Sequence, residues 1–338
     1  MTNVLVLNHE EIDSLLTIPE AIESVEAAYV AKENETGTLF PVISHEFSSG
    51  SGELDIKSGH LRTSRVYGIK LVSWFAENQD FSLPEKYATS LLFDDRTGEP
   101  LALLNASGLT NMRTGAAAAI SMKYLAREDS KALLMVGMGA LSPYLVAAAF
   151  FAMPSLDTVY LYNPHGIEKA QQREPEFTDK LRKLLIPLKD KKYTISIIEN
   201  LPETVAKSDI IVTATPSRIP LLMADWLKPG THICAIGSDL RGKQELDSFI
   251  LNKAVIYVDD KNQASDIGET EIPLRHGLIR LDSIKEISEL IVAKERGRKT
   301  EEEITVFDAT GIALQDLSIS KRIYDLAVRA NIGISVGL

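Results

Sequence analysis

A single cysteine, Cys234, stands among 338 residues, so the chain has no intrachain disulfide to form. Its place inside an apolar run suits a small buried side chain more than a reactive thiol. Such sparing cysteine use fits a reducing compartment. Met1 to Asn8 lack a basic segment followed by a long apolar core, and the expectation is a cytoplasmic protein with no secretory leader. Long hydrophobic runs are missing as well. Leu145–Met153 falls far short of the roughly 20 residues that cross a bilayer, and reads as a packed helix. Basic tracts are absent: 36 Lys and Arg face 47 Asp and Glu, for a formal net charge of −11. Nucleic acid and acidic membrane surfaces are therefore not expected partners. The six histidines show no metal-ligand spacing, so no metal is expected. There is no Gly-x-Ser-x-Gly elbow, no internal repeat and no low-complexity tract.

What is present is ordinary for a globular protein, with 45% hydrophobic and 25% charged residues over a length that allows two domains. The first third mixes elements. Val4–Leu7 reads as a strand, and Ile18–Ala31 as a helix with Pro19 in its first turn. Gly50–Gly52 and Asp95-Arg96-Thr97-Gly98 read as hairpin turns between strand-like runs. Arg113–Ala126 is an alanine-rich helical stretch. From Ser130 the rhythm changes to strands alternating with helices, the strands expected at Ala132–Val136, Thr158–Tyr162, Thr194–Ile198, Ile210–Thr213, His232–Ile236, Val255–Val258 and Ile304–Phe307. Continuous apolar runs of this kind suit parallel strands buried on both faces. The charged run Lys294–Glu303 reads as a solvated loop, and Ile312–Ala330 as a helix that returns to the first domain. The expected fold is α/β: a Rossmann-type doubly wound domain over 129–311, plus a mixed α+β domain over 1–128 completed by 312–338.

The chemistry begins at Leu134–Ser142, a buried strand, a glycine turn and a helix start. Gly137 and Gly139 permit a sharp turn close to a pyrophosphate. Ala140 and Leu141 open the helix, whose free N–H groups and positive dipole end attract anions. Ser142 stands where the usual fingerprint has its third glycine, and either sits close to the sheet or caps the helix before Pro143. The end of the next strand, where an acidic residue would hold the ribose of NAD, carries Asn163 and His165 instead. That leans towards NADP, although Asn163-Pro164 also reads as a plain turn. Thr213, Ala214 and Thr215 end another strand and line either a ribose or nicotinamide pocket or a Pro-containing turn. Ile236 and Gly237 lead to Asp239, which is placed either for proton transfer or as a helix cap. Lys70 interrupts an apolar strand, and Arg113 opens a helix with few other charges; a guanidinium can clamp a carboxylate.

Tyr67-Gly68-Ile69-Lys70, Leu109–Ala117, Val136-Gly137-Met138-Gly139, Trp226–His232 and Ile236–Asp247, in this order, resemble the ornithine cyclodeaminase/μ-crystallin family along nearly the whole chain. The resemblance implies an NAD- or NADP-dependent enzyme acting on a small amino or imino acid, and a homodimer built through the non-nucleotide domain. It implies that Lys70 and Arg113 bind the substrate carboxylate, that Lys70 also polarises the reacting centre, that Asp239 handles protons, and that Thr114 lies near the cofactor phosphates. Ornithine cyclodeaminases usually carry a further carboxylate-binding arginine early in the chain. Phe40–Ser44 offer none, and Lys57 is either its substitute or an exposed strand lysine. Amino-acid dehydrogenase or cyclic imine reductase is therefore the leading expectation. The alternatives are a cyclodeaminase forming proline and a crystallin-like protein that binds NADP and a small ligand.

Overall fold

The computed structural model describes residues 3–47 and 51–338. The expected turn at Gly50–Gly52 starts outside the described residues, as does the Met1–Asn8 segment. The chain runs β1 (Asn3–Leu7), α1 (His9–Leu15), α2 (Ile18–Glu33), β2 (Gly37–Leu39), β3 (Ile43–Glu46), β4 (Glu53–Leu61), β5 (Val66–Trp74), β6 (Lys86–Asp94), β7 (Pro100–Asn105) and α3 (Ala106–Leu125). It continues through β8 (Ala132–Val136), α4 (Ser142–Ala152), β9 (Thr158–Tyr162), α5 (Ile167–Leu184), β10 (Thr194–Ile197), α6 (Leu201–Lys207), β11 (Ile210–Thr213), β12 (His232–Ala235), α7 (Ser248–Lys253) and β13 (Val255–Val258). It ends with α8 (Lys261–Ala264), α9 (Glu271–Arg275), β14 (Ile284–Glu286), α10 (Ile287–Ile291), β15 (Thr305–Asp308), α11 (Ala313–Ala330) and β16 (Ile334–Gly337). Two compact units result: Met1–Arg113 with Ile312–Leu338, and Thr114–Gly311.

In the first unit an eight-stranded sheet runs β16-β1-β7-β6-β5-β4-β2, with β3 also beside β4. Only the β1–β7 pair is parallel. Local chemistry explains its boundaries. Asp94 Oδ1 accepts from the backbone N–H groups of Arg96 and Thr97 at 2.9 and 3.0 Å, closing the β6–β7 turn. Thr17 and Glu20 form a capping box at the start of α2. Helix α11 packs across β4, β5 and β6. The strand positions facing it are buried, including Val66, Lys70, Ser90 and Leu92. The opposite face is apolar too. Ile56, Tyr67, Ile69, Leu71, Leu91, Phe93 and Leu103 share it by register, and each is only half-buried.

The second unit holds an eight-stranded, wholly parallel sheet in the order β10-β9-β8-β11-β12-β15-β13-β14. Leu133–Val136 of β8 and Ile210–Thr213 of β11 are fully buried, as continuous apolar strands under helices should be. The strand order reverses between β8 and β11. In open α/β sheets that reversal opens a crevice at the carboxyl ends of the strands, where ligands bind.

Several expectations shift. Helix α3 begins at Ala106, not at Arg113, and the unit boundary falls inside it at 113/114 rather than at 128/129. The reason is packing: Ser121 Oγ lies 3.1 Å from both His232 Nε2 and Cys234 Sγ, deep in the second unit. Burial pushes the Cys234 thiol up to about 12 and the His232 imidazole down to about 3, so this buried cluster is inert at neutral pH. Ser142 caps nothing. It is the first residue of α4, and its hydroxyl donates to the Gly139 carbonyl at 2.8 Å. Among the described residues, no helix is long and apolar enough to cross a membrane.

Candidate active site

At the strand-order reversal, Gly137, Met138, Gly139, Asn163, Pro164, His165, Ala214 and Thr215 line one cavity of about 430 Å³, with Lys169 and Arg173 of α5. Gly137 has φ +103°, and a Cβ there would stand 2.7 Å from the Ala214 carbonyl oxygen. Only glycine fits that turn. A Cβ on Gly139 would meet nothing within 4 Å, so this backbone faces open space at the start of the eleven-residue helix α4. Bare backbone beside open space at a helix N-terminus is what a pyrophosphate requires, and the residues present fit a dinucleotide. Ala140 borders a smaller adjoining cavity with Gly139 and Arg173. Leu141, Thr114, Ile236 and Gly237 do not line the main cavity.

Thr213 is placed differently from expectation. Its hydroxyl donates to Glu245 Oε2 at 2.7 Å, and it is fully buried. Thr215 donates both N–H and O–H to Glu245 Oε1, at 2.6 and 2.7 Å, and Gly237 N–H donates to Oε2 at 2.8 Å. Glu245 thus clamps the ends of β11 and β12. Burial raises its carboxyl above the usual range, against the pull of those hydrogen bonds. Two residues beyond the Gly237 anchor, Asp239 sits on a half-exposed loop with Lys243 Nζ at 2.5 Å. No helix starts there, so Asp239 is not a helix cap.

The first unit holds a second constellation. Lys70 on β5 is buried, and its Nζ donates to Asp316 Oδ1 of α11 at 2.7 Å. Arg113 Nε stands 3.3 Å from the same oxygen, and its Nη1 donates to Gln315 Oε1 at 3.4 Å. Gln315 Nε2 donates to Tyr29 Oη at 2.6 Å. Lys57 lies directly opposite Lys70 in the β4–β5 register. Three cationic side chains therefore gather around one carboxylate, and Asp316 Oδ2 accepts no hydrogen bond. Burial lowers the Lys70 ammonium to about 7; Asp316 pulls it upward, while Arg113 and Lys57 push it further down. Burial works against ionisation of Asp316 too, but Lys70 and Arg113 outweigh it and hold that carboxyl below its ordinary range. A cluster of cations containing an amine that titrates near neutrality can bind a carboxylate and exchange a proton.

The sequence profile of the ornithine cyclodeaminase/mu-crystallin family matches residues 2–331. The chain belongs to this family. Among family relatives, the iminosuccinate reductase of Paracoccus denitrificans is 33% identical over 324 residues, covering 96% of this chain and 97% of that protein. The fold matches an archaeal alanine dehydrogenase dimer with bound NAD at TM-score 0.88 and 34% identity, over 99% of each chain. It matches the Thermococcus litoralis Δ1-pyrroline-2-carboxylate reductase in complex with NADH and L-proline at TM-score 0.90 and 30% identity, over 98% of this chain and 100% of that one. The family motifs pointed to Lys70 and Arg113 but not to Asp316, Gln315 or Tyr29, which reach them only through the packing of α11 and α2. Lys169 and Arg173 were missed as well, although their spacing of four residues on the helix after β9 was a usable signal.

Proposed function

We propose that this protein is an NAD(P)-dependent oxidoreductase acting at the α-carbon of a small amino or imino acid. The observation that carries the reading is the convergence of buried Lys70 and part-buried Arg113 on one oxygen of Asp316, with Lys57 opposite Lys70 in the sheet register. Lys70 and Arg113 share one carboxylate oxygen, and a substrate carboxylate gives them a second anionic partner. The alanine dehydrogenase, iminosuccinate reductase and pyrroline-2-carboxylate reductase relatives support the same substrate class. Arg113 offers a planar fork for that carboxylate, and Lys57 takes the place of the missing early arginine. Gly137, Gly139, Ala140, Leu141 and Thr114 hold the pyrophosphate region, Asn163 and His165 the adenine ribose, and Ala214, Thr215, Ile236 and Gly237 the remainder of the dinucleotide.

A bound nicotinamide supplies the acceptor or donor for a hydride at the substrate α-carbon. In the oxidative direction Asp239 takes the proton that leaves the amine as it becomes an imine, and Lys70 polarises the reacting centre. In the reductive direction Asp239 returns that proton. The enzyme is cytoplasmic, a reading supported by its lone, buried cysteine. It is a homodimer, as the dimeric alanine dehydrogenase supports, and the apolar sheet face of the first unit is the contact we assign to it.

The test is incubation with NAD or NADP and a panel of L-amino acids including proline, with ammonia and reduced cofactor measured in one sample. Reduced cofactor is expected, matched by ammonia for open-chain substrates and without ammonia for proline. Asp239→Asn should lose roughly 100-fold or more in turnover while still binding cofactor. Ammonia without net reduction would assign a cyclodeaminase. No product in this panel, and no oxidation of NADH or NADPH by cyclic imines, would leave a ligand-binding protein and overturn the proposal.

A further inference from the structure

We infer that the cavity at the β8/β11 reversal selects the dinucleotide bearing a 2′-phosphate, NADP(H) over NAD(H). This rests on the dinucleotide reading above and deepens it. In a sheet of this strand order the residue after the second strand, here β9, faces the adenine ribose. A carboxylate there accepts from the 2′-hydroxyl and repels a 2′-phosphate. Asn163 occupies the position, and it is buried. Its Oδ1 accepts from the His165 backbone N–H at 3.0 Å, which leaves the amide NH₂ as the donating end.

The rest of that wall is basic. His165, Lys169 and Arg173 line the same cavity, and no Asp or Glu does. Lys169 and Arg173 are four residues apart on α5 and share one face of it. One carboxylate approaches: Glu176 Oε2 lies 3.7 Å from Arg173 Nη1, with 77% of its side chain exposed. A pair that open to solvent is weak, and a phosphate can displace it. In a chain of net charge −11, a local set of three basic groups with no lining acid is a specific provision for a dianion. Guanidinium and ammonium groups hold a phosphate by charge-assisted hydrogen bonds, bidentate in the case of Arg. With NAD(H) the ribose offers these same groups only neutral hydroxyls as partners. The two solved relatives described above carry NAD and NADH, so this chain should differ from them in cofactor choice.

The experiment is equilibrium titration of the full chain with NADPH and with NADH, followed by nicotinamide fluorescence, without substrate. NADPH should bind at least ~10-fold more tightly, as charge-assisted phosphate contacts require. In the Lys169→Ala/Arg173→Ala double variant, NADPH affinity should fall to that of NADH, with NADH affinity unchanged. Asn163→Asp should reverse the preference. Displacement of NADPH by 2′,5′-ADP but not by 5′-AMP would support the inference from the ligand side. Equal or tighter binding of NADH to the unaltered protein would overturn it. Equal loss of both cofactors in the double variant would also overturn it, by assigning the cations to the pyrophosphate. Binding of neither cofactor would remove the dinucleotide reading itself, an outcome distinct from failed selectivity.

Discussion

Asp308 ends β15 and is fully buried. Its Oδ2 accepts from Thr270 N–H at 3.1 Å and from Thr270 Oγ1 at 3.3 Å, while its buried Oδ1 accepts nothing. Burial pushes its carboxyl up to about 7, and the neighbouring Asp259 adds to the rise against the backbone hydrogen bonds. The folded protein holds this proton more tightly than the unfolded chain, so the stabilisation is complete below about 3.8 and is lost as pH rises to about 7. Asp308→Asn keeps the acceptor and removes the titration. In urea unfolding at pH 5 and pH 8, the wild type should lose stability across that interval by more than the variant does. Glu269 and Glu245 titrate in both proteins, and because the Asp308 charge also raises the Glu269 carboxyl, the difference reports Asp308 together with that coupling. Equal losses in the two proteins would show that Asp308 is already ionised at pH 5. At this scale legibility was uneven. Lys70 and Arg113 stood out as charges among apolar and alanine-rich neighbours, whereas their partner Asp316 lies 246 residues from Lys70 and looks like any polar helix position. Asp239 was legible as the residue following a strand and its Gly-Ser pair, but its contact with Lys243 was not.

Among the elements, the buried parallel strands were readable because burial on both faces writes an unbroken apolar run. Strands β2, β3 and β16 were not, since they are short, lie towards the sheet edges and owe their shape to distant partners: β16 pairs with β1, from the other end of the chain. The end of β12 is equally dependent on its neighbours. A Cβ at Gly237 would stand 2.1 Å from the Thr215 carbonyl oxygen and 2.6 Å from Glu245 Oε2. Neither can retreat, because Thr215 and Gly237 are both tied to Glu245. Gly237→Ala should therefore force β11 and β12 apart at their carboxyl ends and cost about 1–3 kcal/mol. The same change should weaken dinucleotide binding, because Ala214 and Thr215 line the cavity. Thermal unfolding and nicotinamide fluorescence on the same samples check both effects. An unchanged melting temperature would mean that the clamp yields without strain.

At the scale of the whole molecule, the sheet of the first unit poses a question of assembly. A sheet with one face under a helix normally gives its other face to water, in polar residues. Here that other face presents Ile56, Tyr67, Ile69, Leu71, Leu91, Phe93 and Leu103, with Tyr67 and Phe93 stacked at 5.0 Å. Alternating polar and apolar residues would have announced a solvated face; their absence along β5 and β6 was visible in the sequence, but its meaning depends on register and on which side α11 covers. A contiguous apolar face of this kind marks an association surface. A second copy of the chain is the simplest occupant, since a two-fold axis pairs the face with itself. Each aliphatic side chain fully covered there contributes about 1.5–3 kcal/mol. Sedimentation velocity at micromolar concentration should show a dimer. Leu91→Asp with Leu103→Asp should yield monomers, because each copy would bring two carboxylates into the apolar contact. Both positions point away from α11, so the far-ultraviolet circular dichroism should be retained. A dimer that survives the paired substitution would place the contact elsewhere, and a wild-type monomer would leave this face open for a different partner.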